Sequence, residues 1–71
     1  MEIKRKFGNQ IKKLRLEKNL SQEALANLSD LDRTYIPSIE KGDRNLSLEV
    51  IKKLSEALNI KISDLFKNIE E

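Results

Sequence analysis

Apolar residues recur at steps of three and four along almost the whole chain. Ile3, Phe7, Ile11 and Leu14 form the clearest stripe, with lysines between them. This spacing is typical of one face of an amphipathic helix, and no segment shows the period of two that a half-buried strand requires. The pattern predicts an all-α, compact five-helix bundle, with helices at about residues 2–18, 21–28, 32–41, 47–58 and 62–69.

The predicted helix boundaries carry residues that start and stop helices. A Ser or Asp before a helix can accept a hydrogen bond from a free backbone N–H. Asn and Gly tolerate the left-handed conformation in which many helices end. These residues are Ser21, Asp32 and Ser47 at the starts, and Asn19, Gly42 and Asn59 at the ends.

The composition argues against catalysis. The chain has 71 residues, enough for one domain, and it contains neither His nor Cys. The usual acid–base residue and the usual metal-binding thiolates are therefore missing. Gly8 and Gly42 are the only glycines, so there is no glycine-rich phosphate loop. We expect a single domain over residues 1–71 that is not an enzyme and needs no cofactor or metal.

The sequence also shows no membrane or export signal. It has no apolar run near the ~20 residues that a transmembrane helix needs. The N-terminal segment MEIKRKFGNQ is basic but is not followed by the apolar stretch of a signal peptide. We therefore expect a cytoplasmic protein with no membrane partner.

Charge is distributed unevenly along the chain. Residues 1–18 carry seven Lys or Arg against two Glu, a net charge of +5, and the remaining residues carry a net charge of −3. This asymmetry suits a protein that offers one face to a polyanion. A solvated basic helix is the alternative, and charge alone does not exclude it.

The second and third predicted helices are short and are joined by a tight turn, as in a helix-turn-helix unit. In such a unit the N-terminal end of the second helix of the pair enters the DNA major groove. That end reads Asp32-Arg33-Thr34-Tyr35. Arg can bond guanine O6 and N7 together, and Thr can contact a base edge. An ordinary helical bundle with a solvated turn explains the periodicity equally well.

Longer motifs distinguish a helix-turn-helix unit from an ordinary helical bundle. From Leu20 to Gly42 the chain reads LSQEALANLSDLDRTYIPSIEKG, and LDRTYIPSIEKGDRN is followed by LSLEVIKKLSEALNI. These stretches resemble the Xre-type helix-turn-helix family, the Cro and phage-repressor class. The Arg-Thr-Tyr-Ile segment, the later Arg-Asn and the short length are similar to restriction–modification controller proteins.

The resemblance implies a lambda-repressor-like DNA-binding domain that binds a pseudo-palindromic operator in double-stranded DNA as a homodimer. It assigns base reading to the N-terminal end of the third helix and to the loop after it. Those residues are Arg33, Thr34, Tyr35 and Arg44. Contacts to the DNA backbone are implied for Ser21, Gln22, Ser38, Lys41 and Asn45. At Gln22 the resemblance implies either a phosphate contact or support of the recognition helix.

The resemblance also implies a buried ion pair between Arg15 and Glu40, which would hold the third helix against the first. Two independent surface charges are the alternative.

The chain departs from the common family pattern at two positions. Asp30 stands where many members have Gly in the turn, and we expect it to adopt the left-handed conformation at some cost. Pro37 falls inside the predicted third helix, where we expect a slight kink or a tight first turn.

The C-terminal segment, about residues 60–69, predicts a dimer surface. It carries more apolar side chains than so short a segment can bury alone, and exposed apolar patches commonly mark partner sites. They are Ile60, Ile62, Leu65, Phe66 and Ile69. A cap on the monomer core is the alternative for two or three of them.

Three functions are compatible with these features. The first is a dimeric transcription regulator of the controller type, with RNA polymerase as a candidate partner. The second keeps DNA binding in a phage-type repressor or an antitoxin. The third is a protein-interaction module that has lost DNA binding, and the polar residues Gln22, Arg33 and Thr34 on the reading face argue against it.

Overall fold

A computed structural model describes residues 2–69 and contains five helices in this range. Their bounds are α1 Ile3–Glu17, α2 Gln22–Leu28, α3 Tyr35–Glu40, α4 Leu48–Leu58 and α5 Ile62–Leu65. The predicted all-α architecture is confirmed. None of the helices within residues 2–69 is long and apolar enough to cross a bilayer.

The core gathers side chains from all five helices. The central members, Ile11, Leu25, Ile36, Leu54 and Leu58, have no exposed surface. Burying a side chain of this size contributes roughly 1.5–3 kcal/mol. The stripe predicted on the first helix therefore faces inward at Phe7 and Ile11, whereas Ile3 at its start is exposed.

Four helices end in the same hydrogen-bonded motif. The residue with positive φ follows the C-cap in three of them, Asn19 58°, Asp30 56° and Gly42 79°, and is the cap itself in α4, Asn59 57°. At the end of α3, the Gly42 N–H donates to the Ile39 carbonyl and the Asp43 N–H to the Ser38 carbonyl, both at 3.0 Å. This is the Schellman arrangement, which satisfies carbonyls that a helix end leaves free. The predicted stops at Asn19, Gly42 and Asn59 are confirmed.

Two of the three predicted N-caps are confirmed. The Ser21 hydroxyl accepts from the Ala24 N–H at 3.0 Å, and the Ser47 hydroxyl accepts from the Val50 N–H at 3.2 Å. The third prediction was wrong, because α3 begins at Tyr35 and not at Asp32. Asp32 accepts instead from the Thr34 N–H at 2.9 Å and stabilises a turn ahead of the helix.

The late start of α3 explains how the chain accommodates Pro37. Proline lacks the N–H that a helix interior uses, but the first turn of a helix does not need it. Pro37 is the third residue of α3, so it lies in that first turn. The Tyr35 N–H donates to the Asp32 carbonyl at 2.9 Å, which gives a tight turn. This tight turn lies ahead of α3, at the position where the predicted helix had its first turn.

The last helix is shorter than predicted. It ends at Leu65 rather than near residue 69, and residues 66–69 form turns. The N–H groups of Lys67 and Ile69 donate to carbonyls three residues back, Asp64 and Phe66. Asn68 has a φ of 67°, which a continuing helix cannot contain.

The backbones of α1 and α3 approach each other closely at Gly8. A Cβ at this position would collide with the Ile39 carbonyl oxygen and lie 3.0 Å from that of Glu40. Glycine inside a helix costs roughly 0.5–1 kcal/mol relative to alanine, but here only glycine admits the neighbouring backbone. Gly8 thus lets α1 support the C-terminal half of α3.

Replacing Asp30 with glycine is expected to raise the free energy of unfolding by about 1 kcal/mol. The left-handed conformation strains a residue with a Cβ, and a carboxylate at the end of α2 also opposes the helix dipole. Urea denaturation at fixed protein concentration measures the change. Asp43→Gly is the matched control, because exposed Asp43 lacks a positive φ and gains nothing from glycine. Equal effects at the two positions would contradict this account.

Candidate nucleic-acid interface

The connection between α2 and α3 presents polar residues to solvent. It runs over residues 29–34 and is longer than the predicted three-residue turn, because α3 starts late. Ser29 is buried and its hydroxyl donates to the Leu25 carbonyl at 2.6 Å, which holds the start of the connection on α2. Asp32, Arg33 and Thr34 follow, and all three are exposed.

A buried ion pair joins α1 to α3. The Arg15 Nε donates to Glu40 Oε2 at 2.7 Å, and Nη2 donates to Oε1 at 3.1 Å. The two side chains are only 9% and 5% exposed. Arg15 Nη1 also donates to the Leu20 carbonyl at 2.8 Å, so the pair is tied to the loop between α1 and α2. The pairing implied by the resemblance is thus present in the fold.

Gln22 connects α2 to the same carboxylate. Its Nε2 donates to Glu40 Oε1 at 3.0 Å. Glu40 therefore receives hydrogen bonds from α1 and α2 while it belongs to α3. Of the two roles that the resemblance implied for Gln22, this contact provides the support of α3.

Asp32 organises the turn that leads into α3. Its Oδ1 accepts from the Thr34 N–H at 2.9 Å and from the Thr34 hydroxyl at 2.7 Å. The bond from the backbone N–H has the largest effect on the pKa of the Asp32 carboxyl, and together with the bond from the hydroxyl it holds this pKa below its ordinary value. The nearby positive charges of Arg33 and Arg44 also lower it. Because folding lowers this pKa, the contribution of Asp32 to stability is present at neutral pH and is lost as the pH falls through the acidic range.

Arg44 folds back over α3. Its guanidinium carbon lies 4.2 Å from the centre of the Tyr35 ring, and its Nε donates to the Ser38 hydroxyl at 2.9 Å. The Ser38 hydroxyl in turn donates to the Tyr35 carbonyl at 2.9 Å. Three residues that the resemblance assigned separately to bases and phosphates therefore form one cluster. Sequence spacing gave no sign of this stack, because Arg44 lies in the loop beyond α3.

The remaining predicted DNA-backbone residues lie at the surface. Lys41 and Asn45 are exposed, at the end of α3 and in the loop that follows. Ser21 is exposed too, with its hydroxyl at the N-terminus of α2.

The C-terminal apolar residues divide between core and surface. Leu65 has no exposed surface and Ile69 only 5%, so these two cap the core of their own chain and offer almost no area to a partner. The prediction that Leu65 and Ile69 lie on an exposed dimer surface is therefore corrected, and the alternative, a cap on the monomer core, applies to them. Ile62 remains 43% exposed and Phe66 37% exposed, and Ile60 is half-buried.

An apolar groove begins beside Phe66. The Phe66 ring packs on Phe7 with centroids 5.0 Å apart. Ile3 and Leu46 line the groove with them, and Arg44 stands at its polar edge. An exposed apolar surface therefore runs from α5 to the start of α1.

Comparison with known proteins adds to this geometry. The family described as helix-turn-helix matches residues 11–65. Control protein C.MunI of Mycoplasma sp is 55% identical over 71 residues, which covers 99% of this chain and 96% of that protein.

Solved structures show the same architecture. The controller protein C.AhdI from Aeromonas hydrophila superposes with a TM-score of 0.86 at 52% identity, over 87% of this chain and 94% of that one. A chain from the crystal structure of the C.Esp1396I tetramer in complex with its natural 35 base-pair operator superposes with a TM-score of 0.87 at 37% identity, over 99% of this chain and 92% of that one.

Proposed function

The chain belongs to the Xre-type helix-turn-helix family, among its restriction–modification controller proteins, and on this premise we propose that it regulates transcription as an operator-bound homodimer. The observation that carries the proposal is that α3 is held rigidly beside exposed polar residues. A buried ion pair fixes this helix, while Arg33 and Thr34 in the turn just before it are exposed. Rigid support of exposed polar groups is what base reading requires.

Base edges in the major groove are contacted by Arg33 and Thr34, in the turn before α3, and by Arg44. Arg33 bonds guanine O6 and N7 through its planar fork, and Thr34 meets the neighbouring base. Arg44, held by Ser38 and Tyr35, contacts a further base edge from the loop. Tyr35 packs on a thymine methyl or touches phosphate.

Phosphate contacts flank this reading surface. One Gln22 amide proton serves Glu40, and the second is free for a phosphate oxygen. Ser21, Lys41 and Asn45 lie at the surface for the same purpose. Ser38 has a supporting role, since its hydroxyl proton is committed to the Tyr35 carbonyl. Binding through phosphates makes affinity fall steeply with salt.

Ile60, Ile62 and Phe66 form the centre of the proposed dimer surface, which continues into the apolar groove at Ile3. The surface is apolar and α5 is too short to cover it. A two-fold dimer sets two recognition helices about 34 Å apart, one turn of DNA. Without a dimer, these side chains would form an exposed apolar patch, which is uncommon on small soluble proteins.

Replacing Ile62 with glutamate is expected to weaken the dimer at least tenfold, because about 1.4 kcal/mol or more is lost when a charge enters an apolar interface. Sedimentation equilibrium at micromolar concentration measures the dissociation constant. Leu48→Glu is the matched control, since Leu48 is 83% exposed and lies on α4 outside the proposed surface. A wild-type protein that sediments only as monomer would refute the dimer.

The function itself is tested by selecting bound duplexes from a random library near physiological salt, followed by sequencing. We expect an inverted repeat with half-sites near one helical turn apart. Retention without an enriched motif would indicate architectural binding. No retention would favour a protein-interaction module.

We further propose that the protein acts in the cytoplasm, with RNA polymerase as its second partner. We assign the chain no catalytic activity.

A further inference from the structure

The proton of the Thr34 hydroxyl is committed to Asp32. Thr34 Oγ1 lies 2.7 Å from Asp32 Oδ1, and the Thr34 backbone N–H donates to the same oxygen at 2.9 Å. An ionised carboxylate can only accept hydrogen bonds, so the hydroxyl must be the donor. Exposed Thr34 therefore has only oxygen lone pairs and a methyl group left for a ligand.

The ionised state of Asp32 secures this direction. The two bonds from Thr34 hold the pKa of Asp32 below its ordinary value, and Arg33 and Arg44 act in the same sense. At neutral pH Asp32 has no proton to give, so the hydroxyl cannot reverse and accept from it. Turning the hydroxyl toward DNA as a donor would leave a carboxylate oxygen with one partner fewer.

We propose that Asp32 makes Thr34 a hydrogen-bond acceptor toward DNA, and that Thr34 consequently selects adenine or cytosine over guanine or thymine on the strand it contacts. This inference rests on the proposed function. In the major groove, adenine N6 and cytosine N4 are donors, whereas guanine O6 and thymine O4 are acceptors. An acceptor placed against an acceptor leaves both unpaired, which is costly in a desolvated interface.

The Asp32 charge and its hydrogen bonds can be separated experimentally. An Asn at this position keeps an acceptor oxygen for the two Thr34 bonds and removes the negative charge. An Ala removes both. Thr34→Val keeps the shape and the methyl group of Thr34 but deletes the hydroxyl. The side chains at both positions are exposed, so these changes leave the core intact.

The test is duplex selection and sequencing with the wild type, Thr34→Val, Asp32→Ala and Asp32→Asn. In the wild type we expect one position per half-site to favour adenine or cytosine by about tenfold. Thr34→Val should abolish that preference and so identify the position. Asp32→Ala should admit guanine or thymine there, and Asp32→Asn should retain the wild-type preference.

Several results would overturn the inference while leaving the regulator intact. One is guanine or thymine enriched at the position that Thr34→Val identifies. Another is a motif unchanged by Thr34→Val, which would mean that the hydroxyl reads no base. A third is Asp32→Ala with the wild-type preference. A wild type that enriches no motif would instead remove the proposed function, and the inference with it.

Discussion

Replacing Glu40 with alanine is expected to lower the free energy of unfolding by about 3–5 kcal/mol. The substitution leaves the guanidinium of Arg15 buried without its carboxylate, and it also removes the acceptor of Gln22. Small domains have a total stability of roughly 5–15 kcal/mol, so the variant would lose a large part of it. Urea denaturation followed by circular dichroism, at one protein concentration for all variants, measures the loss.

The chain supplies a matched control for this prediction. Lys52 and Glu56 form an exposed pair at 3.5 Å on α4, with side chains 62% and 65% exposed. Exposed pairs of this kind contribute about 0.3–0.5 kcal/mol, so Glu56→Ala should change little. A loss well under 1 kcal/mol for Glu40→Ala would show that water reaches Arg15 and that the pair does not hold α3.

The ends of the helices could be predicted because their chemistry is local. Asn19, Gly42 and Asn59 tolerate positive φ, and Ser21 and Ser47 reach a backbone N–H three residues on. Each of these properties depends on a few neighbouring residues. The periodicity then fixes which face is buried, and the core follows.

The start of α3 was misplaced because two local rules compete there. Asp32 is a good N-cap, but its carboxylate bonds Thr34 two residues later and stabilises a turn instead. Pro37 is the decisive residue, since a helix that started at Asp32 would need the N–H that proline lacks. As a first-turn residue, Pro37 favours a helix start near Tyr35.

The candidate site depends on contacts distant in sequence, which spacing alone does not reveal. Arg15 and Glu40 are 25 residues apart, and only the family resemblance brought them together in advance. The stack of Arg44 on Tyr35 requires the loop after α3 to fold back, and no pattern in the sequence encodes that path. Likewise, the sequence does not distinguish Leu65 and Ile69 from the exposed apolar residues near them, because their burial depends on packing against the core formed by the other helices.

Replacing Arg33 with alanine is expected to weaken operator binding by roughly 30-fold or more. A bidentate contact to guanine is worth about 1–3 kcal/mol, and a dimer loses it in both half-sites. Arg33 is exposed and lies outside the core, so folding should be unaffected. Titration of the selected duplex, compared with a scrambled duplex at the same salt concentration, measures the change.

Arg33→Lys separates the charge of Arg33 from its hydrogen-bonding geometry. Lysine keeps the positive charge but lacks the planar fork, so the two substitutions differ only if the fork reads a base. If it does, the lysine variant should bind the scrambled duplex like the wild type and still lose discrimination at one guanine position. If Arg33 only neutralises phosphate, lysine should restore operator affinity, and alanine should weaken binding to the operator and the scrambled duplex equally. Discrimination at that guanine, rather than affinity alone, therefore determines whether the turn before α3 reads sequence.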